Sequence, residues 1–434
     1  MDFRDYLEWL NRRNELLGVE SPISKNLEIS SLLSRVDKPI LFYSVKESSF
    51  KVAGNIFISK EHVAEYFGLH AQGLIHKMLN AIESPTEPTL IENAPAQEVV
   101  EETVDLDKIP ILFHYENDGG NYVTSGVFVS RDDEYGQNLD FHRAMQIGKN
   151  RFVIRVVENR DLDTYLKRAG GELDVAMCVG LPINILLAAA LSVERDKDEM
   201  WIANSLSPTR VVKAKAVDLI VPADAEFIIE GRIIKEKVEE GPFVDLTGTY
   251  DIVREQPVFE VRRITHRKDA IWHALMPGGP EHKLLMGMPR EPTIFREVNK
   301  VAKCLDVYIN PGGCSWLHAI VKIKKQRDDD GKRAIEAAFR GHRSAKHVFV
   351  VDNDINIYDP LDVEWALATR FQADRDMVIK RGERGSSLDP SADPISRLTT
   401  KVGFDLTKPL KEKEKFERVK PKEIDLKKFL NEDE

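Results

Sequence analysis

The sequence predicts an α/β (α+β) protein in three parts: an N-terminal α/β domain, a central and mostly antiparallel β domain closing into a barrel, and a C-terminal α/β domain. Three observations carry this expectation. Helix-spaced and strand-like apolar runs mix near the start. Six strand-like runs then follow one another through the middle. The last third alternates strand, helix, strand, helix. With 434 residues, 42% of them hydrophobic, the chain is long enough for two or three domains with real cores.

In order along the chain, Phe3, Leu7 and Leu10 share one helix face, "PILFYSV" and "KVAGNIFIS" read as strands, and "EYFGLHAQGLIHKMLNAI" reads as helical. This first domain is expected over residues 1–108, ending near "DLDKIPIL". The central domain, residues 109–298, opens with "NYVTSGVFVS", "NLDFHRAMQIG" and "RFVIRVV", separated by the hairpin-type connections "RDDEYGQ" and "KN". "VAMCVGLPINILLAAALSV" is as long as a membrane span, but Gly180, Pro182 and Asn184 interrupt it. It reads as a buried strand from Val175 to Val179, a turn, and a buried helix. "TRVVKAKAVDLIVPA", "EFIIEGRII" and "PVFEVRRITHR" are further strands. Residues 299–408 hold the strand "CLDVYIN", the helix "GKRAIEAAFRGHRSA", the strand "KHVFVVD" and the helix "PLDVEWALATRF". The charged tail, 409–434, places Ile424, Leu426, Phe429 and Leu430 on an apolar stripe that either docks as a helix, on a second subunit for example, or frays into solvent.

The charge balance, 62 basic against 72 acidic residues for a net −10, argues against nucleic acid or an anionic membrane as the main partner. A local basic pocket for a small anion remains compatible with it. Three unpaired cysteines, Cys178, Cys304 and Cys314, exclude a disulfide framework and a Cys-type zinc site, and fit a reducing cytoplasmic interior. The opening "MDFRDYLEWLNRRNELLG" shows no secretory signal. Neither GxGxxG nor GxxxxGK[ST] occurs. "DNDINIYDPLDV" imitates a calcium loop at Asp352, Asp354 and Asn356, but Ile357 and Val363 stand where the loop needs Gly and Glu. It reads instead as a strand end before a helix capped at Asp359 or Asp362.

Two places suggest chemistry. In "EEGPFVDLTG", Glu240 and Asp245 would point to opposite faces of an unbroken strand, but Gly241 and Pro242 break it, so the two carboxylates can converge. The alternative is a loop with two solvated acids. In "NLDFHRAMQ", strand parity puts Arg143 on a face with Leu139, Phe141 and Met145, where a guanidinium needs a carboxylate or an anionic ligand. The alternative is an edge or snorkelling Arg. His142 reads as structural. His273 and His282 bracket a loop, and Cys314 lacks an evident base.

Asn138 with Arg143, then "VVKAKAVDLIVPADAEFIIEG", "EEGPFVDLTGTY" and "VVDNDINIYDPLDVEWALATR", in that order, resemble the UbiD family of decarboxylases over nearly the whole chain. The resemblance implies a central split β-barrel like that of flavin reductases and a C-terminal domain making contacts in a homo-oligomer (dimer or hexamer). It implies prenylated FMN, made by a flavin prenyltransferase and bound with a divalent metal, usually Mn2+, and often K+. It implies non-oxidative decarboxylation of an α,β-unsaturated or aromatic acid. Carried over residue by residue, the catalytic set is Arg143, Glu240 and Asp245. The metal-binding positions are Asn138 and Glu199 in "DKDEMWIAN", with Asp198 as neighbouring alternative, and Asp161 where the family has His. Lys401 in "TTKVGFD" matches a residue that helps hold the cofactor phosphate. The wording is most similar to archaeal members that convert trans-anhydromevalonate 5-phosphate to isopentenyl phosphate in a modified mevalonate pathway. An aromatic or hydroxyaromatic acid decarboxylase of the same family is the alternative, and a non-catalytic flavin-binding protein is the alternative of another class.

Overall fold

A computed structural model describes residues 2–419, Pro421, Lys422 and Ile424. Leu426, Phe429 and Leu430 of the expected tail stripe lie outside the described residues. The first helix, Phe3–Arg12, starts at a capping box in which Asp2 and Asp5 satisfy each other's backbone N–H groups, and it buries Phe3, Tyr6, Leu7 and Leu10. The helical run near residue 70 is two helices, Lys60–Tyr66 and Ala71–Glu83, parted where Gly68 takes φ +70°. Strands Leu17–Val19, Ile40–Phe42 and Lys51–Gly54 form a sheet completed by Ile271–Ala274, so the N-terminal layer borrows a strand from the far end of the central region.

The centre is a nine-stranded sheet built on one long antiparallel pair, Phe227–Glu240 with Arg254–His266, which runs from Phe227 opposite His266 to Glu240 opposite Arg254 with register shifts after Glu230 and after Ile234. Alternate residues of its strand Leu173–Val179 serve two cores. Val175, Met177 and Val179 pack in one apolar cluster, and Ala176 and Cys178 in another. Both faces are therefore covered, which is why this strand reads as a continuous apolar run. Cutting one such large side chain to Ala costs about 2–5 kcal/mol. The following helix, Ile183–Ala189, is buried throughout. No helix among the described residues is long and apolar enough to cross a membrane.

Two expectations need correcting here. "NLDFHRAMQIG" is not one strand. It is two, Gly136–Phe141 and Ala144–Gly148, interrupted at His142 and Arg143. Gly136–Phe141 is the last strand on the pairing path and Ala144–Gly148 the second. Three residue steps span at most about 11 Å, so the sheet must curl until its two ends nearly meet. It does not close: among the described residues no ladder joins the terminal strands Tyr122–Val123 and Gly136–Phe141. The expected barrel is thus an open, curled sheet. Arg143 sits at its corner rather than on a pleated face, its carbonyl accepting the Arg155 N–H at 3.0 Å.

The C-terminal domain is a five-stranded sheet in the order Lys303–Ile309, His318–Lys324, His347–Asp352, Leu398–Asp405, Met377–Arg384. Helix Asp330–Gly341 connects the parallel strands His318–Lys324 and His347–Asp352. Asp359 caps helix Pro360–Arg370, and the calcium-like Asp354 is taken by Arg370, 2.7 Å from its Nη2.

Candidate active site

The long strand Phe227–Glu240 stops at Glu240 because Gly241, at φ +106°, and Pro242 turn the chain. A small hairpin follows, with Phe243 opposite Asp251 and Val244 opposite Tyr250. This tip gathers Glu240, Asp245, Asp251 and Arg254, and Arg143 enters it from the corner of the curled sheet. Arg143 Nε and Nη2 each donate to a Glu240 oxygen at 2.9 Å, Nη1 donates to Asp245 Oδ2 at 2.7 Å, and Nη2 also reaches Asp251 Oδ2 at 2.8 Å. The guanidinium lies 4.5 Å from the centroid of the Phe243 ring. Tyr122 Oη donates to Glu240 Oε1 at 3.0 Å, and Arg254 holds Asp251 through two bonds of 2.7 and 2.8 Å.

Burial alone would push the Arg143 pKa down, but the Glu240 hydrogen bonds and the three carboxylate charges raise it. Burial likewise opposes ionisation of Asp251, yet Arg254 and Arg143 hold it down at about 2. Three carboxylates thus meet two paired guanidinium groups, and the buried Arg155 guanidinium lies in the field of the same acids. Glu240 is fully buried behind Arg143. Of the three acids only Asp245 lines the adjoining cavity of about 820 Å³.

The tip is braced by a close backbone approach. Gly119 N–H donates to the Pro242 carbonyl at 2.7 Å, and a Cβ at Gly119 would lie 2.2 Å from the Gly241 oxygen. The neighbouring Asp118 is 8% exposed, and burial pushes its carboxyl up to about 6 although Oδ2 accepts the Tyr115 N–H at 3.0 Å.

Asn138, Arg143, Asp161, Glu199, Asp245 and Lys401 all line the one cavity. Glu199 and Asn138 are brought together: Glu199 Oε2 accepts the N–H of Leu139 at 3.1 Å, and Asn138 Nδ2 is buried without a partner. Asp198 is occupied as the cap of helix Glu199–Leu206, accepting from Met200 N–H at 2.8 Å, which leaves Glu199 to face the cavity. Burial pushes the Glu199 carboxyl well up, and a divalent cation would favour its anionic form. An oxygen pair of this kind fits a hard divalent metal. Asp161 is tied to Arg195 at 2.6 Å and would have to release it to join them. Among the described residues no three His, Cys, Asp or Glu side chains are grouped to hold an ion. Lys401 is buried and donates to the Arg343 carbonyl.

His282 also lines the cavity, its Nδ1 accepting the Gly278 N–H at 3.0 Å, so the ring carries its proton on Nε2. His273 is a core residue, 2.8 Å from Glu281. Asp251, Arg254, Tyr122 and Phe243 were not anticipated from the sequence. Pairing "FV" with "YD" around the intervening turn would have placed Asp251 opposite Phe243.

Comparison with known proteins bears on this site. Profiles of the 3-octaprenyl-4-hydroxybenzoate carboxy-lyase match the chain in sequence: its N-terminal domain at residues 7–82, its Rift-related domain at 89–280 and its C-terminal domain at 283–406. Anhydromevalonate phosphate decarboxylase of Methanosarcina mazei is 43% identical over 422 residues, covering 96% of this chain and 99% of the relative. The enzyme of that name from Methanothermobacter thermautotrophicus is 42% identical over 425 residues, with the same coverage. The UbiD-class enzyme HmfF of Pelotomaculum thermopropionicum, solved in complex with FMN, superposes with a TM-score of 0.94 at 34% identity, covering 99% of this chain and all of that one. An evolved dimeric form of HmfF in complex with prFMN gives 0.90 at 33% identity, covering 99% of this chain and 100% of that one. This chain belongs to the UbiD family of carboxy-lyases and is a decarboxylase.

Proposed function

We propose that the chain converts trans-anhydromevalonate 5-phosphate to isopentenyl phosphate, a step of the archaeal mevalonate pathway, using prenylated FMN. The observation that carries this reading is Arg143, held by three carboxylates of which Asp245 alone opens on the cavity. The substrate follows from the relatives above 40% identity along nearly their whole length.

Asn138 and Glu199 would hold a divalent cation, Mn2+ in this reading, and through it the cofactor phosphate. When bound, the cofactor supplies an electron sink for the pair left behind as the carboxylate departs as CO2. Everything else falls to the chain. Glu240 and Asp251 fix Arg143 from behind. Arg143 in turn fixes the Asp245 carboxyl at the cavity wall. Asp245 donates its proton to the carbon that has lost CO2, and the next proton arrives from solvent through the cavity mouth. Subunit association through the C-terminal domain belongs to the same reading, and a monomer in sedimentation at working concentration would contradict it.

The test is CO2 release from a panel containing trans-anhydromevalonate 5-phosphate and several hydroxybenzoates, with protein co-produced with a flavin prenyltransferase. The phosphorylated acid is expected to show the highest kcat/KM. A hydroxybenzoate as the better substrate would overturn the proposal.

A further inference from the structure

Asp118 is a buried acid that the proposed reaction leaves without a task. It does not line the cavity, and among the described residues no cation is paired with it. Its carboxyl closes a turn of its own chain. The Asp118 N–H donates to the Tyr115 carbonyl at 3.0 Å, and Oδ2 accepts the Tyr115 N–H at 3.0 Å. Burial opposes its ionisation, while the N–H groups of Tyr115, Val244 and His114 and the field of Arg143 favour the anion. Val244 immediately precedes Asp245 in the tip hairpin. The same turn reaches the tip again through Gly119 and the Pro242 carbonyl, and it reaches a third segment through Tyr115 Oη, which donates to the Pro277 carbonyl at 3.0 Å. There Gly278 comes so near Asp245 that a Cβ on it would lie 3.2 Å from the Asp245 carbonyl oxygen. Segments 115–119, 241–245 and 277–278 thus meet around one buried carboxyl.

A turn does not need this charge. Asn closes the same turn with its side-chain oxygen and has no buried charge to desolvate. An acid kept at a cost in stability beside an active site points to function. We propose that Asp118 is a positioning residue: its carboxylate draws the Val244 N–H and so fixes the hairpin that aims Asp245 at the cavity against Arg143. The inference rests on the reading of Asp245 as the proton donor. An amide at position 118 still accepts from Tyr115, but its NH2 turns a donor toward the Val244 or His114 N–H, where only an acceptor fits. The hairpin then shifts, and a misplacement on the order of 1 Å at a reacting group lowers rate by about 10²-fold.

Asp118→Asn and Asp118→Ser, two neutral replacements that both close such turns, are compared with wild type as cofactor-loaded enzyme above pH 6, where Asp118 is largely ionised. Melting temperature, flavin content, KM, kcat and solvent deuterium exchange into the product are measured in each, alone and in the Asp245→Asn background. The expected result is a split. In both variants kcat and exchange fall about tenfold or more while KM and flavin content hold, and the melting temperature of Asp118→Asn stays at or above wild type. In the Asp245→Asn background neither substitution lowers the residual rate further, because the group that Asp118 positions is already gone. Wild-type kcat in both variants overturns the inference. So does a fall of kcat together with flavin content and melting temperature in both, the mark of a turn that merely holds the fold. An equal further loss in the Asp245→Asn background also overturns it, since Asp118 then acts elsewhere. Failure of the donor reading is distinct and shows as wild-type turnover in Asp245→Asn alone.

Discussion

Arg143 and Glu240 meet in a two-point ion pair, with Nε and Nη2 each 2.9 Å from a Glu240 oxygen and the carboxylate wholly out of solvent. Glu240 therefore acts through Arg143 and does not touch the cavity. Glu240→Gln keeps the shape and Tyr122 as neighbour but removes the charge. Arg143 is then drawn toward Asp245 and Asp251. Breaking a buried pair costs about 3–5 kcal/mol when nothing replaces it, and the two remaining acids put this variant at the low end. The expected result is a lower melting temperature, normal flavin content, and kcat reduced about 10²-fold or more. Wild-type kcat in the variant would remove Glu240 from the positioning role.

Asn138 and Glu199 make a different prediction. If they hold the ion that bridges protein and cofactor phosphate, Asn138→Ala should lose metal and flavin together. Metal analysis and flavin absorbance on the same sample check this, and each is expected to drop about tenfold or more. Flavin retained at full occupancy without metal would separate the two and count against the assignment.

Asp118 gives a pH dependence. Its folded pKa of about 6 lies above the ordinary 3.8 because the carboxyl is buried beside the site. Between these values the folded protein binds more protons than the unfolded one, so this group's contribution to stability falls as pH rises from about 4 to 6 and is fully lost above 6. The shift corresponds to roughly 3 kcal/mol. Asp118→Asn removes it. Melting temperatures of variant and wild type should therefore diverge in the variant's favour as pH rises through this window, and a constant difference would show that Asp118 does not titrate there.

Arg143, Glu240 and Asp245 were legible in the sequence because each breaks a local rule: a charge in an apolar alternation, and two acids across a Gly-Pro interruption. Asp251 and Tyr122 break none. Asp251 reaches Arg143 only through the register of a two-residue hairpin, and Tyr122 through a strand far away in the sequence. The interruption at His142 was hidden for the opposite reason. The alternation from Leu139 to Met145 runs across it undisturbed, and only pairing with partners at opposite ends of the sheet separates the two strands. Sheet curling has the same origin, since no local pattern records which ends meet. Lys401 enters the sequence reading only through the family resemblance, and Arg290 does not enter it at all, because an isolated Arg reads as surface charge until the two are seen against one cavity.

Asp245 carries the sharpest prediction. Its Oδ2 is held by Arg143 at 2.7 Å and its Oδ1 accepts the Leu246 N–H at 2.7 Å, so the carboxyl is fixed in direction while open to the cavity. Asp245→Asn preserves size, and its side-chain oxygen can still accept one of these bonds. Fold, metal and flavin content should therefore stay near wild type. What the amide lacks is a transferable proton, and loss of general acid chemistry lowers rate by about 10² to 10⁴. A merely structural role would lower stability instead and leave proton exchange intact. Exchange of solvent deuterium into the product carbon that receives the proton separates the two, because it needs the donor even without net turnover. Asp245→Glu, which restores an acid one methylene longer, should recover part of both signals. Turnover and exchange retained in Asp245→Asn would show that another group supplies the proton. The fully buried Glu240 has no path to the cavity in this structure, which leaves the His282 Nε2–H as the next donor on the wall.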